Sequence, residues 1–426
     1  AGRRSLFARV AGNFAWGMVA EMSAKGALFL VTLRLAGVLG TGHFGEFSYL
    51  QTIFVFLWMG VDLGLNQYAT REVARNPAGV SQLLADLTVM RFVLAASLGG
   101  LALAALAAGA DPATAWLTGG FVLYLLVRAV QPDWLLRGLE RYRALAYVSI
   151  ATALLQLAIT WILIDGPEDY ALSSVPWFVS YLLGTFGVVL ALRQSGVAWR
   201  RGSGSGPRGW RRHWSESIHF TFSSGVSTLY QNLPLLYLYW LGNAHQTGLF
   251  AAPFRLVVAL LFVASVFPMT LYPVIADLEA RARAEALARL IAWSAAATAV
   301  AVGIVCLVTA VWSEQVITLL YGAAYLDGAP TLRWLSLFLL LRSVRAVFVR
   351  VVGGMGHQRR YSAVSAAAVV ILVALLLGMA WIGIDPLVAA PVALAATEAC
   401  VLLAMLALTR SALRAMNDQG PGRGAP

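Results

Sequence analysis

Charge is scarce in this chain. Of its 426 residues only 12% are Asp, Glu, Lys or Arg, while 60% are hydrophobic; an ordinary soluble domain is about 25% charged. A water-soluble fold is excluded. Cysteine is scarcer still, and both Cys306 and Cys400 fall inside apolar blocks, where buried packing residues are expected. That excludes a disulfide framework or a thiolate metal site. A cleavage site is lacking too: Arg3, Arg4 and Arg9 precede a long apolar stretch without the small residues a signal peptidase needs, so a retained first span is expected. Large outer loops are missing. The longest runs from about Glu314 to Ala329, too short for a catalytic domain, which argues against an enzyme.

What is present is a series of apolar blocks, each long enough to cross a hydrocarbon core of about 30 Å. They predict an all-α integral membrane protein of twelve spans. The first six are 12–34, 44–66, 87–109, 115–136, 144–164 and 172–192; the second six are 215–241, 246–275, 289–312, 331–352, 361–384 and 387–409. The expected organisation is an N-terminal lobe over 1–194, a cytoplasmic linker over 195–214, a C-terminal lobe over 215–412 and a disordered cytoplasmic tail over 413–426.

A net charge of +11 suits nucleic acid or anionic lipid, and the position of the basic residues decides between them. They form no single patch. Alternate segments hold Arg3, Arg4 and Arg9; Arg71, Arg75 and Arg91; Arg137, Arg141 and Arg143; Arg193, Arg200, Arg201, Arg208, Arg211 and Arg212; Arg281, Arg283 and Arg289; Arg350, Arg359 and Arg360; and Arg410, Arg414 and Arg423. The segments between them carry acids instead, among them Asp111, Asp165, Glu168, Asp169, Glu314, Asp327 and Asp385. By the positive-inside rule both termini are expected in the cytoplasm. Membrane lipid is therefore the expected surface, and no nucleic-acid partner is expected.

The halves echo each other. Gly45-Glu46-Phe47-Ser48-Tyr49 opens the second span as Gly248-Leu249-Phe250-Ala251-Ala252 opens the eighth. A parallel duplication predicts two six-helix lobes with a substrate site between them near the midplane.

A few charges fall inside the spans, where each normally faces a wet cavity, pairs with an acid or snorkels to an interface. Arg34 and Arg333 lie near outer helix ends and are expected to snorkel. At helical rise, Lys25, Arg255, Arg342 and Glu398 all sit about 15 Å from the outer boundary, and Arg128, Arg345 and Glu21 about 20 Å. Several helices thus place charge at one level, and basic residues outnumber acids there. This predicts a net-positive central chamber lined by Lys25, Arg128, Arg255, Arg342 and Arg345. Glu21 and Lys25 are i, i+4 neighbours that either neutralise each other or face the chamber. Arg342 and Arg345, at i, i+3, need an anion, either Glu398 or a substrate. Pro253 is expected to loosen the helix beside Arg255. The many tryptophans, Trp16, Trp58 and Trp134 among them, suit interfacial anchoring. Tyr230, Tyr237 and Tyr239 suit packing.

The stretch Gln131-Pro132-Asp133-Trp134-Leu135-Leu136-Arg137-Gly138-Leu139-Glu140-Arg141-Tyr142 resembles the Wzx-type polysaccharide and O-antigen repeat-unit flippases. Asp62-Leu63-Gly64-Leu65, Arg71-Glu72-Val73-Ala74-Arg75 and Gly248 to Leu256 are similar too. The resemblance implies the multidrug/oligosaccharidyl-lipid/polysaccharide (MOP) exporter superfamily, with two lobes in a V shape in the bacterial cytoplasmic membrane. It implies a monomer that passes an undecaprenyl-pyrophosphate-linked oligosaccharide outward by alternating access, and hands it to a polymerase and chain-length machinery. Under that implication the basic chamber residues hold the diphosphate, no cofactor is needed, and Glu21, Asp62, Asp133 and Glu398 are candidates for proton or sodium coupling or for gating. Where relatives often place an acid in span seven, this chain has Gln231-Asn232-Leu233-Pro234, so no coupling role falls there. The competing readings are a multidrug exporter of the same fold, which calls for an acid-dominated cavity, and a membrane glycan polymerase, which calls for large outer loops.

Overall fold

A computed structural model describes residues 2–76, 79–194, 206–280, 284–355 and 357–419. Two compact units emerge, Ala1–Thr228 and Leu229–Pro426. Among the described residues, nine helical segments have the length and apolar composition to cross a membrane. One of them, Gly12–Arg75, contains two of the expected spans. The two remaining expected spans are also helical but too polar to stand out: one carries Arg333, Arg342, Arg345 and Arg350, the other Gln231, Asn232 and several serines. The all-α expectation of twelve spans is consistent with this.

In the first unit, α1 (Gly2–Asp62) carries two expected spans and breaks its helical geometry at Gly40, with φ 72° and ψ 174°. Essentially only glycine adopts that backbone region. After the turn at Leu63 and Gly64, both with positive φ, come α2 (Leu65–Arg75), α3 (Val80–Ala107), α4 (Pro112–Val130), α5 (Asp133–Gly138), α6 (Tyr142–Leu163) and α7 (Val175–Gln194). Asp111 caps α4, its carboxylate accepting from the Ala113 and Thr114 amides at 3.0 and 3.2 Å. Hydrogen bonds from Thr114 hold that carboxyl below its ordinary pKa.

The short helices α2 and α5 form a joint. On α2 the buried residues Leu65, Tyr68, Ala69 and Val73 recur at helical spacing, one face of an amphipathic helix. They cluster with Trp134, Leu135 and Leu136 of α5. Gly138 makes the approach possible, because a Cβ there would stand 2.7 Å from Val73 Cβ and 3.0 Å from the Thr70 carbonyl. The first part of α8 (Gly206–Leu241) belongs to this unit as well. His213 ties it to α2 and α3, with Nδ1 3.0 Å from the Tyr68 hydroxyl and Nε2 3.4 Å from Asp86.

The second unit contains the rest of α8, then α9 (Ala244–Ala280), α10 (Ala284–Val311), α11 (Ser313–Tyr321), α12 (Ala329–Gly354), α13 (Gln358–Trp381) and α14 (Pro386–Gln419). Its centre is α12, which packs on α9, α10 and α14 and buries Leu332, Leu335, Phe338 and Leu339. Ala389, Ala390 and Ala393 of α14 are fully buried. Small side chains of this kind let membrane helices approach closely.

Several boundaries differ from the expectation. The third span starts at Val80 rather than 87, which places Arg91, expected near the start of that span and grouped with the inner arginines, well inside α3. The second and fourth spans end early, at Asp62 and Val130, because Gly64 and Pro132 stop the helix. The linker expected over 195–214 is helical from Gly206, and 195–205, with Arg200 and Arg201, lie outside the described residues. The tail expected to be disordered from 413 is helical through Gln419; Arg423 lies outside the described residues, as do Arg281 and Arg283. Cys306 is buried as expected, whereas Cys400 is exposed on α14.

Overpacking a close joint costs about 1–3 kcal/mol. Gly138→Leu should therefore lower the thermal midpoint of the detergent-purified protein by a few degrees, whereas Gly37→Ala, with open space around it, should leave it unchanged. Midpoints followed by fluorescence-detected size exclusion decide this.

Candidate functional site

The charged residues expected in one chamber gather into distinct groups within each unit. In the second unit, the i, i+3 spacing of Arg342 and Arg345 puts both guanidinium groups on the side of α12 that meets Glu398 of α14. Arg342 Nη1 donates to Glu398 Oε1 at 2.7 Å, and Arg345 Nε stands 2.7 Å from Oε2. Arg345 Nη2 adds a 3.3 Å hydrogen bond to Oε1. The carboxylate is only 1% exposed and the two guanidinium side chains 17% and 13%. One buried acid thus serves two cations, and the group carries a net charge of about +1. Aromatic faces flank it: the Arg342 guanidinium lies 5.4 Å from the Tyr230 ring and 5.7 Å from the Phe338 ring.

Arg255 is half-buried on α9. The helix runs on through Pro253, so the expected loosening does not break it. Beside it, the Tyr321 hydroxyl donates to the Ala252 carbonyl at 2.9 Å and fastens α9 to α11.

In the first unit the principal pair is one the sequence did not reveal. Arg91 of α3 is 1% exposed and its Nη2 donates to Asp62 Oδ1 at 2.6 Å. Arg128 of α4 donates to its i−4 neighbour Tyr124 at 2.7 Å and stacks on the Trp58 ring at 4.3 Å. The Arg91 guanidinium is 5.9 Å from the same ring, so two guanidinium groups lie within cation–π range of one indole. Tyr124 meets Tyr181 of α7 edge to face at 4.9 Å. Among the described residues no carboxylate lies within ion-pair distance of Arg128. Asp133 lies a turn from Arg137 and pairs with it at 3.0 Å.

Glu21 and Lys25 both lie on α1. Their side chains are about half exposed and face each other at 4.0 Å on α1, the mutual-neutralisation alternative. Arg34 lies shortly before the break in α1 at Gly40 and Arg333 near the start of α12, and they pair with Asp165, just after α6, at 2.6 Å and with Glu314, in the first turn of α11, at 2.9 Å.

Sequence reasoning missed Arg91, Trp58, Tyr124 and Tyr230. Arg91 escaped notice because, lying only four residues inside the expected start of the third span, it grouped with the inner arginines, whereas α3 begins at Val80 and carries it deeper. The signal available was Asp62 itself, an acid near the end of an apolar block with no sequence neighbour to pair with. Trp58 and Tyr230 are aromatic residues whose service to a cation leaves no trace in spacing. Among the described residues no group of three or more His, Cys, Asp or Glu side chains is placed to hold a metal ion.

Residues 10–279 match the family described as "Polysaccharide biosynthesis protein". The chain is 25% identical over 381 residues to the EPS I polysaccharide export inner membrane protein EpsE of Ralstonia nicotianae, covering 84% of each chain. Among solved structures, it is similar to an inward-facing multidrug resistance MATE family transporter of the MOP superfamily, at 15% identity and TM-score 0.72, covering 95% of this chain and 99% of that one. It is similar also to the lipid II flippase MurJ in an inward closed conformation, at 10% identity and TM-score 0.73, covering 94% and 89%. These two likenesses establish the MOP-type fold.

Removing one partner of a buried ion pair costs about 3–5 kcal/mol because the other charge stays behind. Asp62→Asn should thus markedly lower the thermal midpoint and the yield of folded protein in membranes. Asp62→Asn combined with Arg91→Met should recover most of that loss, as a double-mutant cycle on the purified protein would measure.

Proposed function

The chain belongs to the polysaccharide biosynthesis protein family, and from that premise we propose that it is a flippase for a polyprenyl-pyrophosphate-linked oligosaccharide. It carries the repeat unit from the inner to the outer leaflet of the bacterial cytoplasmic membrane by alternating access. The observation that carries this reading is the surplus of guanidinium over carboxylate inside the spans, with Arg342 and Arg345 sharing, among the described residues, the one carboxylate of Glu398 and Arg128 resting on neutral rings. A cavity for cationic drugs would need the opposite balance. A diphosphate offers the oxygens that guanidinium groups take up in bidentate, charge-assisted hydrogen bonds. The export role of EpsE and the lipid II flippase activity named for MurJ support the same cargo chemistry.

The proposed diphosphate contacts are Lys25, Arg128, Arg255, Arg342 and Arg345. Arg342 and Arg345 come first, because packing on α12 and contact with Glu398 already fix their orientation. Lys25 comes last, since it is half exposed and faces Glu21. Glu398 holds the arginines until the cargo replaces it, and proton or sodium uptake at Glu398 is the proposed coupling step. Glu21, Asp62 and Asp133 are gating candidates through their pairs with Lys25, Arg91 and Arg137. Cytoplasmic termini, supported by the arginine distribution, would place the linker with the machinery that builds the repeat unit. A monomer would deliver it outside to a polymerase and its chain-length partner. Nothing in this cycle makes or breaks a covalent bond, so the protein is a transporter and not an enzyme.

A lost charge-assisted hydrogen bond costs about 1.5–3 kcal/mol, or about tenfold and more in binding. In cells lacking the native copy, Arg342→Ala and Arg128→Ala should each cut surface polysaccharide about tenfold or more and raise the lipid-linked repeat unit inside, with normal protein in the membrane fraction. Arg342→Lys, which keeps the charge but not the fork, should fall between. Normal export by both alanine variants would remove the diphosphate assignment.

A further inference from the structure

Away from these charged groups, the first unit has a groove of about 340 Å³ between α6 and α7. That is near the lower end of the range for ligand sites, roughly 300–1,000 Å³. Two glycines open it. A Cβ on Gly184 would stand 2.5 Å from Thr152 Oγ1, and one on Gly187 would stand 3.3 Å from Val148 Cγ2. The helices therefore touch where α7 has no side chain, and a channel is left beside the contact. Leu155, Leu183 and Leu190 wall it. Leu183 and Leu190 remain about half exposed, so the groove opens sideways to whatever surrounds the helices, which in a membrane is lipid.

One end of the groove differs from the rest. Tyr147 and Gln194 line it where α6 begins and α7 ends. There Arg143 Nη2 donates to the Tyr147 hydroxyl at 3.3 Å, and its guanidinium lies 5.4 Å from the Trp16 ring. Trp16 in turn meets Tyr147 edge to face at 5.6 Å. Arg141, Arg143 and Arg193 are all exposed around this end. The first amides of α6 add the positive end of a helix dipole.

We propose that this groove binds one phospholipid with an anionic head group, its acyl chain between α6 and α7 and its phosphodiester at Arg143. The apolar walls and lateral opening exclude a water-soluble ligand. The cationic end selects against a zwitterionic head group, whose own cation would meet Arg143. A guanidinium already oriented by an indole and a phenol matches the single charge of a phosphodiester. A pyrophosphate would call for several such groups, so the occupant is a membrane phospholipid rather than the transported carrier. None of these residues belongs to the proposed diphosphate contacts, so the proposal stands apart from the transport reading.

The test uses the full chain purified in detergent and phospholipids carrying a photoreactive group on the acyl chain. Phosphatidylglycerol should crosslink to peptides covering 147–155 and 183–191, with a preference over phosphatidylcholine of about fivefold, the effect of one basic residue at a lipid surface. Arg143→Ala should bring that preference close to unity while leaving the protein folded and the acyl crosslinks in place. Gly187→Leu should remove the crosslinks by filling the groove; should it fail to fold, Ala151→Leu fills the same groove from α6. Equal labelling by the two lipids in the unmodified protein, a preference indifferent to Arg143, or crosslinks mapping elsewhere would overturn the proposal. Displacement of phosphatidylglycerol by polyprenyl pyrophosphate at lower concentration would overturn the choice of occupant.

Discussion

A guanidinium group cannot be left alone in hydrocarbon, and much of this protein's internal architecture follows from the ways it meets that constraint. The cost of a charge at mid-membrane is about 2.5–3.5 kcal/mol on insertion scales. Arg34 and Arg333 avoid most of it by reaching the exposed carboxylates of Asp165 and Glu314. Arg91 is buried completely and meets Asp62. Arg342 and Arg345 divide one carboxylate. Arg128 relies on a phenol and an indole face. The helices that carry these groups are held in register by them, since α12 and α14 cannot slide past each other without separating Glu398 from its two partners.

Much of the fold was legible because the bilayer imposes a coarse ruler. Apolar blocks of the right length, with arginines gathered in alternate segments, predict the helices and their number without reference to packing. The ruler fails at short elements. Helices α2 and α5 are too short and too polar to register as spans, yet Val73 and Gly138 show why they exist, the one fitting against the other at contact distance. The stretch around Trp134 that carried the family resemblance turns out to be this joint, with Trp134, Leu135 and Leu136 buried. Its specificity as a sequence signal comes from packing, which constrains every residue of a short helix pressed on both sides.

The charged groups were legible in part. Depth along a helix can be read from residue number, so Arg342, Arg345 and Glu398 were matched at the level where they meet. Azimuth is harder. Glu21 and Lys25 have the same depth credentials, but their side chains are half exposed and turned toward each other. Arg91 shows a further limit, because a helix can begin well before its most apolar stretch and carry a cation inward with it. The aromatic partners were beyond reach, since a tryptophan under an arginine and a tryptophan at an interface have the same sequence context.

The choice of partner has chemical consequences. A carboxylate bonded to an arginine nearly cancels its field, and an incoming anion must displace it. An aromatic ring stabilises the same cation by about 0.5–2 kcal/mol while leaving its charge uncancelled. Arg128 on Trp58 and Tyr124 therefore keeps a long-range attraction for anions that Arg91, bonded to Asp62 within the same unit, has given up. The Glu398 group lies between these limits, since its second arginine leaves one positive charge over. If the proposed cargo is bound and released at these groups, partial compensation is the workable solution: full cancellation would deny it a site, and a bare cluster would hold it too tightly to let go.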